Sequence, residues 1–484
     1  ESDFPEKRFA VFTFDDAYRD NLKYALPVLR RHQCPFTLYV PTALVDESDA
    51  VTPVQVLRRG VHSARDSRER ISIGFVATDV PSIGYKTFRV AYDTDTTTAV
   101  RGGEASIENE FFRVSADPDG TITLLDKASG QTMAGLNRFE DGGEAGDEYT
   151  YNPPAQDEII SEPKGPAAIR ITEVGPARWT LEVRQVYSIP ARLTPDRQAR
   201  SNERFDCAIL SRVRLYPGVP RVDITTEVDN QCEDHRLRVL FPSGLVSETS
   251  YAEQHFGIVQ RPTSPIEYDD TWFETPANQH PQKTFVDLTN NERGLMIVNR
   301  GLPEYEVLRE DDGATLALTL LRCVSWLSRD DLATRKGHAG PMMHTPGAQM
   351  IGRWAFEYSI IPHEGNWMRA YREAHRFARP LRAIRVPGGT GEMPRQKSLL
   401  RLDGEGVELS ALKPAEDDDA IVVRVYNIAD EPSAGIIALS EPVAGVEAVN
   451  LNEEDAGPVV VQGGAVRLDL APNQISTFRF LPRR

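Results

Sequence analysis

The first fifty residues carry the hydrophobic pattern of a strand–helix–strand unit. An apolar run over residues 9–14 predicts a buried strand, and apolar positions on one face predict a helix over residues 20–32. A second apolar run predicts another strand at residues 36–40. Parallel strands of this kind need cover on both faces, which a segment of about 50 residues cannot supply by itself. We therefore predict a βαβ fragment over residues 1–50 that needs other parts of the protein to cover its sheet.

Beyond residue 54 the pattern changes to short alternating runs separated by Gly, Pro, Asn and Asp. Alternation with a period of two predicts strands, and many such strands predict two-layer sandwiches. One helix is predicted over residues 367–377, before Pro380. The predicted strands include residues 70–76, 111–114, 121–125, 178–189, 208–216, 222–228, 294–298, 314–321, 420–426, 459–461 and 474–480.

These patterns predict a mainly β, multidomain protein, with a large β-sandwich, smaller β domains and a short N-terminal βαβ fragment. The 484 residues exceed the roughly 250 to 300 at which single cores stop growing, so several domains are expected. The predicted domains are residues 1–50 (βαβ fragment), 51–100 (small β linker domain), 101–385 (large β-sandwich) and 386–484 (C-terminal β-sandwich).

Composition narrows the class of partner. Acidic residues outnumber basic ones by 72 to 55, and the net charge of -17 disfavours nucleic acids and anionic membranes. No stretch approaches the roughly 18 apolar residues of a membrane span, and no signal peptide or N-x-S/T site is seen, so a cytoplasmic location is expected. Four scattered cysteines predict buried thiols and neither a zinc ribbon nor a disulfide scaffold: Cys34, Cys207, Cys232 and Cys323.

Several segments of the β region carry a resemblance to one known family: residues 75–85, 146–154, 234–242, 280–287, 301–305 and 345–363. Over about residues 54–484 the chain resembles the glycoside hydrolase family 38 α-mannosidases. This resemblance implies a retaining, zinc-dependent activity on terminal α-mannosides, with zinc and the aspartate nucleophile in an N-terminal catalytic domain. The histidine and aspartate motifs that hold that zinc are not found in this sequence, so the catalytic domain is expected to be absent or supplied by a partner chain.

The N-terminal fragment, about residues 8–45, resembles NodB-type polysaccharide deacetylases through Phe12-Thr-Phe-Asp-Asp16. The resemblance implies that Asp15 is a general base and that Asp16 binds a metal ion. Two histidines spaced H-x-x-x-H should complete that metal site, and no pair in the sequence has this spacing. The resemblance therefore changes from one family to another between the N-terminal fragment and the β region. This change has three possible origins: a gene fusion, an internal deletion or an assembly artefact.

Three residues of the β region are candidates for carbohydrate binding. Asp147 and Tyr149 lie in a Gly-flanked loop, and carboxylates bind sugar hydroxyls while aromatic rings cover the apolar sugar face. The alternative for this loop is a turn with solvated charges. His280 is predicted to contact substrate or a domain interface, whereas His235 is expected to be a hydrogen-bonded structural residue. Four tryptophans are expected to be core or junction anchors: Trp272, Trp326, Trp354 and Trp367.

The sequence therefore predicts a carbohydrate-active protein of α-mannosidase lineage, with a glycan or mannoside as its ligand. One alternative is a metal-dependent polysaccharide deacetylase that uses Asp15 and Asp16. Another is a glycan-binding or scaffold module without catalysis. A retaining glycosidase needs two carboxyl groups roughly 5 to 5.5 Å apart, and no such pair is evident from spacing in the β region.

Overall fold

The computed structural model of the protein describes residues 36–41, 55–63, 66–90, 105–311, 313–385, 391 and 393–483. The predicted strand over residues 9–14 and helix over residues 20–32, together with Asp15 and Asp16, lie outside these residues. Contacts divide the chain into two compact units. The first comprises Glu1–Ala99, Gly175–Arg178 and Pro380–Arg484, and the second comprises Val100–Val174 and Trp179–Arg379.

Strands are the main secondary structure among the described residues of both units. The N-terminal strands are β1 (Phe36–Pro41), β2 (Gln55–Ser63), β3 (Asp66–Gly74) and β4 (Gly84–Val90). The second unit contains β5 (Ser106–Glu108), β6 (Phe112–Ala116), β7 (Ile122–Asp126), β8 (Thr132–Leu136), β9 (Arg138–Gly143), β10 (Ala168–Val174), β11 (Trp179–Pro190), β12 (Arg204–Leu215), β13 (Val222–Asn230), β14 (His235–Leu245), β15 (Thr249–Gln254), β16 (Gly257–Pro262), β17 (Gln279–Pro281), β18 (Phe285–Thr289), β19 (Arg293–Asn299), β20 (Glu304–Glu310), β21 (Gly313–Arg322) and β22 (Gly352–Glu364). The C-terminal strands are β23 (Ile384–Arg385), β24 (Gln396–Ser398), β25 (Leu400–Asp403), β26 (Val407–Pro414), β27 (Ile421–Asn427), β28 (Ser433–Leu439), β29 (Val443–Val449), β30 (Asp455–Gly457), β31 (Val461–Gln462), β32 (Ala465–Leu470) and β33 (Ile475–Pro482).

The second unit is a large β-sandwich. A nine-stranded sheet has the order β10-β11-β12-β13-β22-β19-β18-β15-β16, and a five-stranded sheet has the order β17-β20-β21-β14-β9. A four-stranded meander, β5-β6-β7-β8, packs with both, because apolar side chains from all three sheets share one buried core. The alternation predicted this arrangement, since in β12 every second residue from Cys207 to Leu215, including Ile209 and Val213, is buried while the residues between them are partly exposed. Each such aliphatic side chain contributes about 1.5 to 3 kcal/mol when fully buried.

The helix predicted over residues 367–377 forms in two parts. A 3₁₀ turn spans Trp367–Arg369, and the helix α1 spans Tyr371–Ala378. The side chain of Asn366 caps the turn by accepting a hydrogen bond from the Met368 N–H at 3.1 Å. Among the described residues, no helix is long and apolar enough to cross a membrane.

The first unit ends in a smaller β-sandwich. Its sheets have the orders β25-β28-β32-β31 and β26-β27-β33-β29-β30, and residues of both sheets form a separate apolar core. A further sheet, β23-β1-β4-β24, joins strands that come from all four of the predicted segments 1–50, 51–100, 101–385 and 386–484. The boundaries at residues 50, 100 and 385 remain predictions.

Candidate functional site

The candidate carbohydrate-binding residues lie in two places of the second unit. Asp147 and Tyr149 belong to the loop between β9 and β10, and His280 belongs to β17. The loop begins at the end of the five-stranded sheet, where β9 is an edge strand. Asp15 and Asp16 lie outside the described residues, so their roles as general base and metal ligand remain predictions.

Glu144 closes the loop that carries Asp147 and Tyr149. Its Oε1 atom accepts hydrogen bonds from the N–H groups of Gly146 at 2.7 Å and Asn152 at 3.2 Å. The Ala145 N–H donates to the Asn152 carbonyl at 2.7 Å, which joins the two ends of the loop. A Cβ atom at Gly146 would lie 2.1 Å from the Thr150 carbonyl oxygen, so this close approach requires glycine.

The Asp147 carboxylate is completely buried and is surrounded by donors. Its Oδ1 atom accepts from the N–H groups of Tyr149 at 3.0 Å and Thr150 at 2.9 Å. Its Oδ2 atom accepts from the Arg329 N–H at 2.8 Å and from Nη2 of Arg335 at 2.6 Å. Burial opposes ionisation of this carboxyl, but the hydrogen bonds from Arg335 and from the backbone hold its pKa below the usual value. A solvated turn is therefore wrong for Asp147, while its contact with a sugar stays a prediction.

Glu144 is buried as completely as Asp147, but its ionisation is less favourable. Burial raises the pKa of Glu144 to about 7, although Arg322 and the two backbone donors of the loop oppose the change. Nε of Arg322 donates to Oε2 of Glu144 at 2.9 Å, and Nη2 donates to the Asp147 carbonyl at 2.6 Å. One guanidinium thus connects the side chain at the base of the loop to the backbone near its tip.

Tyr149 differs from both carboxylates because its side chain is exposed, with a relative accessibility of 56%. Its ring rests on the backbone of Gly340, where an added Cβ would lie 2.9 Å from the Tyr149 hydroxyl oxygen. The Ser328 hydroxyl accepts the Gly340 N–H at 3.1 Å and so fixes this support. The adjacent Glu148 N–H donates to the Trp326 carbonyl at 3.1 Å. The structure therefore presents an exposed aromatic ring on a hydrogen-bonded base.

Residues 270–275 and 326–344 adjoin the loop 144–152, and we call these three segments the loop face. The Thr150 hydroxyl donates to Oε1 of Glu274 at 2.8 Å, and the Lys336 N–H donates to the Phe273 carbonyl at 2.9 Å. Nζ of Lys336 also donates to the Trp272 carbonyl at 2.9 Å. The loop face carries exposed large apolar side chains: Tyr149, Trp272, Phe273, Met342 and Met343.

The expectation that the tryptophans anchor the core is only partly correct. Trp367 is buried, but Trp272 and Trp354 are 48% and 40% exposed. Trp272 is held through its carbonyl, which leaves the indole outside the core. The Trp354 indole N–H donates to the Met350 carbonyl at 2.6 Å while much of its ring remains accessible.

His280 lies in a separate surface cleft of about 260 Å³. Its ring centroid is 5.8 Å from that of Tyr305. Burial, together with the nearby Arg261 guanidinium, lowers the pKa of His280, which favours the neutral imidazole. Other polar residues line the cleft and offer groups that can hydrogen-bond to a ligand: Thr263, Ser264, Asn278, Glu306 and Arg309.

Arg236 connects the loop face to the cleft. Its guanidinium lies 4.0 Å from the centroid of the Tyr151 ring, and its Nη2 atom donates to Oε2 of Glu306 at 3.1 Å. The same carboxylate oxygen accepts from Nε2 of Gln279 at 2.9 Å, next to His280. Within the described residues, the buried Nη1 atom of Arg236 has no hydrogen-bond partner.

His235 has the structural role expected from its strand. The residue is buried, its Nδ1 atom lies 2.5 Å from Oδ2 of Asp141, and its Nε2 atom lies 3.0 Å from Oδ1 of Asn230. Arg200 pairs with the same aspartate. Although burial alone would lower the pKa of His235, nearby Cys323 and Asp141 raise it to about 10, which indicates a buried ion pair.

Sequence reasoning missed the residues that support Tyr149. Glu144 stands between Gly143 and Gly146, and this glycine spacing was the available signal. Arg322 and Arg335 follow much later in the sequence, and no periodicity marks their relation to the loop. Only the fold brings them to it.

The family resemblance implies a zinc ion, but the described part of the chain does not provide a set of side chains that fits it. No group of three or more His, Cys, Asp or Glu side chains in that part is arranged to hold a metal ion. The buried carboxylates of Asp147 and Glu144 are already occupied by donors from the protein. We therefore derive no chemical step through a metal ion.

Comparison with family models gives three matches along the chain. Residues 107–332 match the glycosyl hydrolases family 38 C-terminal domain, and residues 406–478 match the glycosyl hydrolases family 38 C-terminal beta sandwich domain. Residues 3–66 match the polysaccharide deacetylase model. The loop 144–152 and His280 both lie within the first match.

Curated relatives point to the same lineage. A putative mannosylglycerate hydrolase from Halalkalibacterium halodurans is 30% identical over 391 residues, which cover 78% of this chain and 41% of the relative. Alpha-mannosidase 2C1 from Mus musculus is 27% identical over 272 residues, which cover 54% of this chain and 23% of the relative. The matched regions thus span less than half the length of these relatives.

Solved structures confirm the mainly β, multidomain fold. An alpha-mannosidase from Enterococcus faecalis V583 has a TM-score of 0.75 at 24% identity, covering 92% of this chain and 56% of that structure. A glycosyl hydrolase family 38 protein from Enterococcus faecalis has the same TM-score at 25% identity, covering 94% of this chain and 53% of that structure. The fold agrees with the two family matches, which show that the chain belongs to glycosyl hydrolase family 38 and carries its C-terminal domains.

Proposed function

We propose that the described domains serve the hydrolysis of terminal α-mannosides by contacting the sugar through the loop face. The bond-breaking groups and the zinc ion would belong to a catalytic domain outside the described residues, in the same longer chain or in a partner chain. The observation that carries this proposal is the exposed Tyr149 ring on a loop that two buried carboxylates hold in place. The similarity to mannosidases and to a putative mannosylglycerate hydrolase supports a mannoside as the ligand.

The chemistry of the loop face suits a sugar. An aromatic ring provides apolar area for the C–H face of a pyranose, and the Tyr149 hydroxyl provides a polar tip for its hydroxyl groups. Trp272 and Phe273, both exposed, extend the apolar surface on the neighbouring segment. Exposed aromatic side chains on hydrogen-bonded loops lose little conformational entropy on binding, which favours affinity.

The same geometry argues that the two buried carboxylates of the loop hold it in place and do not cleave a glycosidic bond. Retaining hydrolysis needs one carboxylate that is free to attack and one carboxyl group that protonates the leaving group. Asp147 accepts hydrogen bonds from four residues, and Glu144 is buried beneath the loop. Neither carboxylate can reach a sugar without breaking its contacts with the protein.

His280 is proposed as a second contact, from the adjoining cleft. A neutral imidazole can both donate to and accept from sugar hydroxyls, and burial favours this form of His280. Arg236 and Glu306 join this cleft to the loop through Tyr151, so a ligand longer than one sugar could extend in this direction.

Calorimetric titration with mannobiose, α-mannosylglycerate and methyl α-mannoside tests the binding proposal, with methyl α-galactoside as the control ligand. Tyr149→Ala should weaken mannoside binding by about 1 to 2 kcal/mol, or roughly 5- to 30-fold, the loss typical of a central aromatic contact. Trp354→Ala, which removes an exposed ring outside the loop face, should leave the affinity unchanged. Absence of binding heat in the wild-type chain would refute sugar contact by these domains alone.

Hydrolysis of nitrophenyl α-mannoside tests the non-catalytic assignment. The chain alone should show no turnover, with added zinc or with chelator. Turnover that disappears with chelator would overturn the assignment, because the active site would then lie within this chain.

A second candidate function rests on the match of residues 3–66 to the polysaccharide deacetylase model. We propose Asp15 as its general base and Asp16 as its metal ligand, both outside the described residues. Acetate release from acetylated chitin oligomers with zinc, cobalt or nickel would support this activity, provided that Asp16→Asn abolishes it. Release at background level with all three metals would remove the candidate.

A further inference from the structure

We propose that Asp147 and Arg335 are positioning residues, which fix the direction of the Tyr149 ring without touching the ligand. The inference deepens the proposed function and rests on it, because it explains how the loop face keeps a mannoside contact in place. The role of Asp147 follows from its hydrogen bonds to the N–H groups of Tyr149 and Thr150, and the role of Arg335 follows from its hydrogen bonds to Asp147 and to the Thr150 hydroxyl.

Asp147 fixes the peptide groups next to the ring. Its Oδ1 atom accepts the N–H groups of the consecutive residues Tyr149 and Thr150, at 3.0 and 2.9 Å. Two hydrogen bonds to one oxygen orient both peptide planes, and therefore the Cα–Cβ bond from which the Tyr149 side chain starts. Its Oδ2 atom accepts the Arg329 N–H at 2.8 Å and so ties this turn to the segment 326–344.

Arg335 connects the same two segments from the other side. Its Nη2 atom donates to Oδ2 of Asp147 at 2.6 Å and to the Arg329 carbonyl at 2.9 Å. Its Nη1 atom donates to the Thr150 hydroxyl, and its Nε atom donates to the Gly337 carbonyl at 3.2 Å. Only the planar fork of an arginine satisfies all these acceptors together.

The ring of Tyr149 is therefore constrained at both ends. Asp147 holds its backbone, and Gly340, three residues after Gly337, lies under the hydroxyl. The side chains of Asp147 and Arg335 are 0% and 2% exposed, so water does not compete for these hydrogen bonds. A buried ion pair gains little net stability over apolar packing, which makes conformational specificity the more informative explanation for its presence here.

The test uses variants of the full chain labelled with 3-fluorotyrosine. Fluorine NMR reports the environment of the 15 tyrosines, and loss of one signal in Tyr149→Phe assigns its resonance. Asp147→Asn should move this resonance toward the value of free 3-fluorotyrosine and narrow it. The same variant should bind methyl α-mannoside about three- to tenfold more weakly, since an unconstrained ring must be ordered on binding.

Asp141→Asn is the matched control. Asp141 forms the other fully buried aspartate–arginine pair, with Arg200, but it makes no hydrogen bond to residues 147–150 among the described residues. The control should lose thermal stability while the Tyr149 resonance stays in place. If the Tyr149 resonance moved equally in the control, the effect of Asp147→Asn would be explained by general destabilisation, and the proposal would be overturned.

Arg335→Lys tests the proposal even if Asp147→Asn fails to fold. This variant keeps the positive charge but removes the forked guanidinium. It should shift the Tyr149 resonance in the same direction, and an unchanged resonance in a folded variant would overturn the proposal. If the wild-type chain binds no mannoside, the proposed function fails, but the fluorine signals still decide whether these residues position Tyr149. The two failures are thus distinguishable.

Discussion

Glu144 should make the second unit less stable as the pH rises toward neutrality. Burial raises the pKa of its carboxyl to about 7, from 4.5 for an exposed glutamate. Between these values the folded chain holds a proton that the unfolded chain has released. Stability from this group is therefore fully present below about pH 4.5 and is lost as the pH rises through 7.

The size of the effect follows from the shift. A difference of about 2.5 pKa units, at 1.36 kcal/mol per unit, gives about 3 kcal/mol, the full value because the group is completely buried. Glu144→Gln removes the titration and keeps an amide oxygen that can accept the Gly146 and Asn152 N–H groups. The amide nitrogen, a donor, would face the Nε donor of Arg322. This unpaired contact should lower the free energy of unfolding of the variant by about 1 to 3 kcal/mol at every pH.

Urea unfolding of both proteins between pH 4.5 and 8 provides the assay. The free energy of unfolding of the wild type minus that of Glu144→Gln should fall by about 3 kcal/mol over this range. The subtraction cancels other titrating groups, such as His235, that both proteins share. Glu148→Gln, which removes an exposed carboxylate from the same loop, serves as the control substitution. A Glu144 difference that stays within about 0.5 kcal/mol at all pH values would refute the reasoning.

Further predictions concern the same sandwich. His235→Ala should lower the free energy of unfolding, measured by urea denaturation, by about 3 to 5 kcal/mol. The reason is that the buried Asp141 carboxylate would keep only Arg200 as a charged partner. A loss below about 1 kcal/mol would contradict the buried ion pair. Gly146→Ala should destabilise the unit by about 1 to 3 kcal/mol, since the added Cβ lies 2.1 Å from the Thr150 carbonyl oxygen; Gly165→Ala, where nothing lies within 4 Å, is the control in a thermal melt. In a Cys34→Ser variant, which removes the fourth cysteine, the remaining thiols should react with Ellman's reagent only after unfolding, and reaction in the native variant would contradict their burial: Cys207, Cys232 and Cys323.

Alternation along the chain was enough to predict the strands of the sandwich. The expected strand over residues 222–228 is β13, Val222–Asn230, and the expected strand over residues 314–321 is β21, Gly313–Arg322. In β13 buried and more exposed residues alternate, as a strand with one buried face requires, whereas nine of the ten residues of β21 are buried. The C-terminal sandwich was equally accessible, with β27 and β33 close to their predicted ranges.

The arrangement of the candidate site was harder to predict from the sequence than the strands were. The sequence singled out Asp147 and Tyr149 together, but one is completely buried and the other is more than half exposed. Side-chain burial in an irregular loop depends on segments far away in the chain, and no periodicity encodes it. Trp272, which was expected to be a core or junction anchor, is 48% exposed and so is not part of the core, for the same reason.

The sequence by itself determined the family, the mainly β architecture and the loop that carries Tyr149, because these depend on local motifs and on the period of hydrophobic positions. Only the tertiary structure decided which groups hold that loop. Arg335 follows Asp147 by 188 residues, and Arg322 follows Glu144 by 178 residues, yet each pair is in hydrogen-bond contact. Such contacts are set by the packing of whole sheets, so the charge partners of a buried carboxylate become known only when the chain is folded.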